Sequence, residues 1–91
     1  SATAKAEPVQ ITPESAERAR MLLDALGGRE NLREVSPTAL TRVRVVLVDA
    51  AKVDQAALKA AGIGLMQVHP DTLHLLVGVG QAEATAAAMQ G

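Results

Sequence analysis

Residues 40–48 read LTRVRVVLV, and this stretch is the strongest strand pattern in the chain. It is dense in β-branched residues, which favour a strand. Successive side chains of a strand point to opposite faces, so one face is purely aliphatic: Val43, Val45 and Leu47. Arg42 and Arg44 share the other face, although its far end turns apolar. The pattern predicts a strand with one face in the core and a second, more polar face.

A helix is predicted upstream of this strand, over 13–26. Thr12 suits the N-cap position, and a proline follows it at the first helical position. Apolar residues then recur at helical spacing until Gly27 and Gly28, which suit a helix C-terminus. Residues 30–35 are ambiguous between a helical turn and a short strand. The Ser-Pro-Thr sequence at 36–38 predicts a turn before the strand.

Downstream, the sequence predicts a second helix, a second hairpin and a third helix. The helix covers 53–61 and ends before a glycine. The hairpin has strands over 63–68 and 73–77, joined by His-Pro-Asp-Thr at 69–72, a sequence that suits a type I turn. The last helix covers 81–90 and is rich in alanine.

The element order is therefore helix, two strands, helix, two strands, helix. Because hairpin strands are antiparallel and each helix has one apolar stripe, we expect an α+β, two-layer sandwich. Its four-stranded antiparallel sheet has the helices on one face. Residues 12–91 form this single domain, and residues 1–11 are interpreted as a linker or a remnant of cloning.

Composition excludes several classes of function. A net charge of -1 gives no strong attraction to nucleic acid or anionic lipid, and 0% aromatic residues leave no platform for stacking bases. The absence of cysteine removes disulfides, thiolate nucleophiles and cysteine metal sites. No apolar run reaches the roughly 18 residues of a membrane span. We therefore expect a soluble, intracellular domain without direct membrane insertion.

The two arginines of the strand are the first candidate site. Side chains at i and i+2 point the same way, so the guanidinium groups of Arg42 and Arg44 can converge on one phosphate dianion. A solvated sheet face explains the same spacing, and the residues alone favour it.

Two other motifs are weaker. Gly78-Val79-Gly80 lies between a strand and a helix, but Glu83 stands where a dinucleotide fingerprint needs glycine, so no cofactor is predicted. An anion site at that helix N-terminus stays open. His69 and His74 could accept a phosphoryl group or act as bases, but no catalytic partner stands out by spacing, so the residues favour a turn histidine and a sheet-face histidine. Two histidines without a clustered carboxylate predict no metal site.

Three ordered motifs together resemble a known family. They are Gly27-Gly28-Arg29-Glu30-Asn31-Leu32, then Leu40-Thr41-Arg42-Val43-Arg44-Val45, then Lys52-Val53-Asp54-Gln55-Ala56-Ala57-Leu58-Lys59 before Gly62. The chain resembles the enzyme IIB domain of the glucose/N-acetylglucosamine family of the bacterial phosphoenolpyruvate-dependent sugar phosphotransferase system. The resemblance covers residues 14–89, and the element order of that family is the order predicted above.

The resemblance implies a place in a phosphorelay. In the family, a cysteine accepts phosphate from a histidine of the IIA domain and passes it to sugar held by the membrane-embedded IIC domain. Arg42, Arg44 and Thr41 match residues that assist this transfer or bind the phosphate. The family works on the cytoplasmic side of the bacterial inner membrane, as part of a larger permease.

The cysteine position is Ala39, which has no nucleophile. Residues 36–38 also depart from the family, and so does the 69–72 loop. That loop flanks the active site in the family, so the resemblance implies that His69 and Asp71 lie near the site. These departures favour natural loss of the site over one engineered change. We expect a structural or regulatory IIB-like module that contacts IIA, IIC or an active IIB domain. The alternatives are a phosphocarrier that uses His69 or His74, and an anion-binding or protein-interaction module.

Overall fold

The computed structural model describes residues 9–91, so the linker predicted over 1–11 falls mostly outside the described residues. The elements in chain order are α1 (Pro13–Ala25), β1 (Leu32–Ala39), β2 (Arg42–Leu47), α2 (Gln55–Ala60), β3 (Gly64–His69), β4 (Thr72–Leu76) and α3 (Ala82–Gln90). Single 3₁₀ turns precede β1 and α2, at Arg29–Asn31 and Ala50–Lys52. Within the described part, no helix is long and apolar enough to cross a bilayer.

Helix α1 is bounded by strong local signals at both ends. The Thr12 hydroxyl accepts a hydrogen bond from the backbone N–H of Ser15 at 3.1 Å, and the Ser15 hydroxyl accepts one from the N–H of Thr12 at 2.9 Å. This reciprocal pair is a capping box. At the other end, the N–H of Gly28 donates to the Leu23 carbonyl at 2.7 Å. That bond closes a Schellman motif, and Gly27 supplies its left-handed residue with a φ of 104°.

The four strands form one antiparallel sheet in the order β1-β2-β4-β3. The buried apolar residues of the two central strands all lie on one face: Val43, Val45, Leu47, Leu73 and Leu75. Helices α1 and α3 cover this face with a second buried set: Ala19, Leu22, Leu23, Leu26, Ala82, Ala86 and Met89. Removing such aliphatic surface from water is the main force that holds the two layers together. The predicted α+β sandwich, with its helices on one face, is confirmed.

One predicted turn is wrong. Residues 36–38 belong to β1, which runs without a break to Ala39. Pro37 is compatible with the strand because β1 lies at the edge of the sheet, where a missing N–H breaks no ladder. The turn lies two residues later, at Leu40 and Thr41, so β2 begins at Arg42 rather than at residue 40.

The other boundaries shift by one or two residues. The second helix is shorter than predicted, because Asp54 is its N-cap and accepts a hydrogen bond from the N–H of Ala57 at 3.0 Å. In the second hairpin, His69 and Thr72 pair with each other as strand residues, so only residues 70 and 71 form the turn.

The side chain of Asn31 joins the end of α1 to the end of β2. Its Nδ2 donates to the carbonyls of Leu26 at 2.7 Å and Asp49 at 2.9 Å, and its Oδ1 accepts from the N–H of Asp49 at 2.9 Å. Only 2% of Asn31 is exposed, so these bonds satisfy a buried amide. The N–H of Asp54 adds a bond to the Ala25 carbonyl at 2.7 Å. We call residues 25–31 and 49–54 the Asn31 junction.

Candidate functional site

The face of the sheet opposite the helices carries the candidate site. Strand pairing arranges its residues in rows across the sheet. The first row is Ala39, Arg42, Leu76 and Gly64, from β1 to β3. The second row is Ser36, Arg44, His74 and Met66. We call these two rows the open face. Both predicted arginines therefore lie on the same side of the sheet, and each has a neighbour from the strand on either side.

Ala39 stands directly across the ladder from Arg42. The β1–β2 register shifts between Pro37 and Ala39, which leaves Thr38 as an extra residue in a bulge. Bulges re-aim side chains at the ends of strands and recur beside active sites. Ala39 is exposed, and it helps to line a groove of about 330 Å³ between the β1–β2 turn and the start of α3. A side chain at position 39 is thus accessible from solvent and adjacent to an arginine.

The β1–β2 turn is held by the connection between β4 and α3. The carbonyl of Thr41 accepts a hydrogen bond from the N–H of Val77 at 2.8 Å, and the carbonyl of Leu40 accepts one from the N–H of Gly80 at 3.1 Å. Thr41 itself is half-buried beside Arg42. These backbone bonds fix the position of the turn, and so they also fix the end of β1 that carries Ala39.

Arg44 and Arg42 differ in their surroundings. Arg44 Nη1 lies 3.7 Å from Glu34 Oε1, and both side chains are more than a third exposed, so this ion pair is weak. Among residues 9–91, no carboxylate lies within 4.0 Å of the Arg42 guanidinium. The guanidinium group nearer to Ala39 therefore has its charge available for an anion.

Of the two histidines, only His74 lies on the open face next to an arginine. It pairs with Arg44 on one side and Met66 on the other. Its Nδ1 is shielded from solvent and has no hydrogen-bond partner among the described residues. Such an unsatisfied ring nitrogen is unusual in a folded protein. The sequence alone does not show which residues lie near His74, because its position beside Arg44 depends on the β2–β4 register.

His69 and Asp71 lie at the other end of the sheet. Thr72, the partner of His69, pairs with Val46, whereas Ala39 pairs with Arg42. Four residues along a strand span about 13 Å, so the structure does not bring this turn to Ala39. Asp71 has a local role there, because it accepts a hydrogen bond from the Thr72 hydroxyl at 2.8 Å.

Ser36 and Glu34 are neighbours of the arginines that the sequence did not reveal. Ser36 pairs with Arg44, and Glu34 forms the ion pair with it. The prediction of a turn at 36–38 hid this relation. The alternation of polar side chains at 34 and 36 was the available signal, because it matches the alternation of the two arginines.

The segment 78–80 forms a turn into α3. The Gln81 N–H donates to the Gly78 carbonyl at 3.0 Å, and Gly80 has a positive φ of 77°. Glu83 lies in the first turn of α3 and lines the groove next to Ala39. A carboxylate in this place disfavours an anion at the helix N-terminus. In the described part of the chain, no three His, Asp or Glu side chains gather as a metal site.

Comparison with known families returns one match that bears on these residues. The family model described as phosphotransferase system, EIIB, matches residues 20–54. Over this part the chain is similar to EIIB domains of the sugar phosphotransferase system. The matched part contains the Asn31 junction, both strands of the first hairpin and the β1–β2 turn. Ala39, Thr41, Arg42 and Arg44 therefore all lie within the region of similarity.

The chemistry available to the open face follows from these side chains. Two guanidinium groups on one face can bind a phosphate dianion through charge-assisted hydrogen bonds. A methyl group at position 39 can neither attack phosphorus nor leave from it. The arrangement is therefore suited to binding an anion, and a nucleophile is missing at the position across from Arg42.

Proposed function

We propose that this chain is a IIB-like domain of a sugar phosphotransferase permease that does not itself carry phosphate. The observation that carries the proposal is the position of Ala39. It lies across the ladder from Arg42, on the face that also holds Arg44, and within the segment similar to EIIB domains. Phosphoryl transfer to an EIIB domain needs a thiolate, stabilised by nearby positive charge. Here the positive charge is kept and the nucleophile is absent.

The proposed role is structural or regulatory. Next to Ala39, Leu40 and Val79 are the most exposed large apolar side chains of the described residues, at 73% and 80%. Exposed aliphatic side chains beside a charged site suit contact with another protein. The proposed partners are the IIA and IIC domains of a permease, or an active IIB domain. The proposed subfamily is that of glucose and N-acetylglucosamine, and the proposed location is the cytoplasmic side of the bacterial inner membrane. No cofactor is proposed.

An intact-mass measurement tests the proposal. The chain is incubated with phosphoenolpyruvate and a complete upstream phosphorelay that ends in a IIA domain. A IIB domain with its cysteine is the positive control, and Ala39→Cys is the matched variant of this chain. We expect the control to gain one phosphoryl group and the parent chain to gain none.

The Ala39→Cys variant distinguishes a chain that lacks only the thiol from a chain that has also lost binding to IIA. A gain of mass by Ala39→Cys would show that IIA still docks and that the missing thiol alone silences the chain. No gain by the variant would indicate that docking is lost too. Phosphorylation of the parent chain would contradict the proposal, and the modified residue would then identify another nucleophile.

His74 makes a histidine phosphocarrier the second candidate function, because it lies beside Arg44 on the open face. In that reaction an imidazole nitrogen would attack the phosphorus of a IIA phosphohistidine. A new N–P bond would form as the N–P bond of IIA breaks. His74→Gln would abolish any phosphorylation of the parent chain if this candidate is correct, whereas His69→Gln would leave it unchanged.

The third candidate, an anion-binding module, is tested by titration with inorganic phosphate. We expect Arg42→Ala to remove binding, because the Arg42 side chain has no competing carboxylate. An unchanged affinity in this variant would count against a phosphate site between the arginines.

A further inference from the structure

The edge strands of the sheet, β1 and β3, differ in how well they are protected against pairing with a strand of another chain. An edge strand exposes unpaired backbone groups that can pair with another chain, and proteins block such edges with charges, proline and covering side chains. β1 has all three. It contains Arg33, Glu34 and Pro37, and Gln90 of α3 donates from its Nε2 to the Val35 carbonyl at 3.0 Å.

The β3 edge lacks these devices. Residues 60–70 contain no Asp, Glu, Lys or Arg. Within the described part of the chain, no side chain forms a hydrogen bond to the backbone of residues 64–69. Two apolar side chains of the strand are also exposed, Met66 at 42% and Val68 at 38%. β3 therefore offers an uncharged edge with free donors and acceptors.

A groove runs beside this edge on the helical side of the sheet. Its volume is about 400 Å³, and it lies between α2 and the start of β3. Its apolar lining includes Leu58 of α2 together with Ile63 and Leu65. A strand added at a free edge binds through main-chain hydrogen bonds, and its alternate side chains need such a groove. Leu65 itself points to the helical side, since it pairs with the buried Leu75.

We propose that β3 pairs in antiparallel fashion with β3 of a second copy of this chain, to form a dimer with a continuous eight-stranded sheet. A strand without charges can pair with itself without repulsion between like charges. Leu65 of the second copy would lie over the groove beside α2, and the two-fold axis makes the contact reciprocal. Because the β1 edge is blocked, assembly stops at the closed dimer and does not continue into a fibre.

Sedimentation equilibrium over a wide concentration range tests the dimer. We expect the average mass to rise from that of a monomer towards twice that value, and we expect Met66→Lys to hold the chain at the monomer mass. Val48→Lys is the matched control, because it places the same charge at an exposed valine outside the β3 edge. A parent chain that stays monomeric over the whole concentration range would overturn the proposal. The β3 edge would then be available for a strand of another protein.

Disulfide cross-linking tests directly whether the two β3 strands are in contact, and it does not depend on a variant that disrupts the dimer. The chain has no cysteine, so single variants at Leu65, Met66 and Gln67 report on β3 alone. Opposed residues in an antiparallel pair have Cα atoms about 4.5–5.5 Å apart, which is within reach of a disulfide. We expect at least one of these variants to form a covalent dimer rapidly, and we expect Arg33→Cys on β1 not to do so. Equal cross-linking at Arg33→Cys, or none in β3, would contradict the proposal. Neither result would bear on the phosphate-silent function, which rests on Ala39 of β1.

Discussion

The Asn31 junction and the β1–β2 hairpin that carries Ala39 lie in the same matched segment, yet they are built differently. In the junction, the amide of Asn31 is buried and makes three hydrogen bonds, and Asp54 both caps α2 and bonds to α1. On the open face, Ala39 and Ser36 are exposed, and the one ion pair measures 3.7 Å between partly exposed side chains. The junction holds elements together, whereas the open face leaves Ala39 and Ser36 accessible to solvent.

This difference shows on which part of the matched segment the fold depends most. Two of the three motifs that carry the resemblance, at 27–32 and 52–59, are parts of the junction or of the helix next to it. Asn31 and Leu58 in these motifs are buried, and Asn31 and Asp54 make hydrogen bonds, so replacing these residues costs stability. Ala39 is exposed, so a substitution at this position is compatible with an intact fold.

The largest effect on stability is expected for Asn31→Ala. The change removes three hydrogen bonds and takes a partner from the Leu26 carbonyl and from the carbonyl and N–H of Asp49, which costs about 3 kcal/mol of unfolding free energy. Urea unfolding followed by circular dichroism measures it. Gln67→Ala is the control, because that amide is exposed and makes one bond of 3.2 Å. Equal losses in both variants would contradict the assigned role of the junction.

Gly27→Ala comes next. Gly27 has a φ of 104°, and an added Cβ would lie 2.9 Å from Asn31 Nδ2 and 3.0 Å from the Cβ of Lys52. Backbone strain and this contact together cost about 2–3 kcal/mol. Gly62→Ala isolates the strain, since Gly62 has a φ of 79° and nothing within 4 Å of an added Cβ. A smaller loss for Gly27→Ala than for Gly62→Ala in thermal unfolding would refute the close contact at the junction.

Asp54→Ala is expected to have an intermediate effect. The loss of an N-cap acceptor destabilises a helix by about 1 kcal/mol. Asp54→Asn keeps an oxygen for the N–H of Ala57, so it should retain most of the stability in the same urea experiment. If the two variants lose stability equally, the charge of Asp54 matters and its capping bond does not.

The smallest effect on stability is expected on the open face. Glu34→Gln removes the exposed ion pair with Arg44 and changes the unfolding free energy by less than about 0.5 kcal/mol. Because Arg44 is then released, the affinity for inorganic phosphate should rise by about twofold in calorimetry. Glu17→Gln removes an equally exposed carboxylate, paired with Arg20 on α1, and should leave phosphate affinity unchanged. Equal effects of both variants would indicate a general charge effect and no specific site.

Much of this molecule was predictable from local patterns. The alternation in LTRVRVVLV identified β2 and its buried face, and the Thr12 cap with the Gly27-Gly28 pair identified α1, because both signals act between residues close in sequence. The prediction failed at 36–38 for the same reason. Serine, proline and threonine favour a turn locally, but pairing with β2 extends β1 through them to Ala39.

The order of the elements, the buried face of β2, the pair of arginines and the alanine at position 39 can all be read from the sequence. Which residues lie beside those arginines depends on how the strands pair. The register places His74 and Ser36 beside Arg44, and it leaves His69 and Asp71 at the far end of the sheet. The strand order left β3 as an open edge. Register and strand order arise from contacts between residues far apart in the chain, and no local pattern encodes such distances.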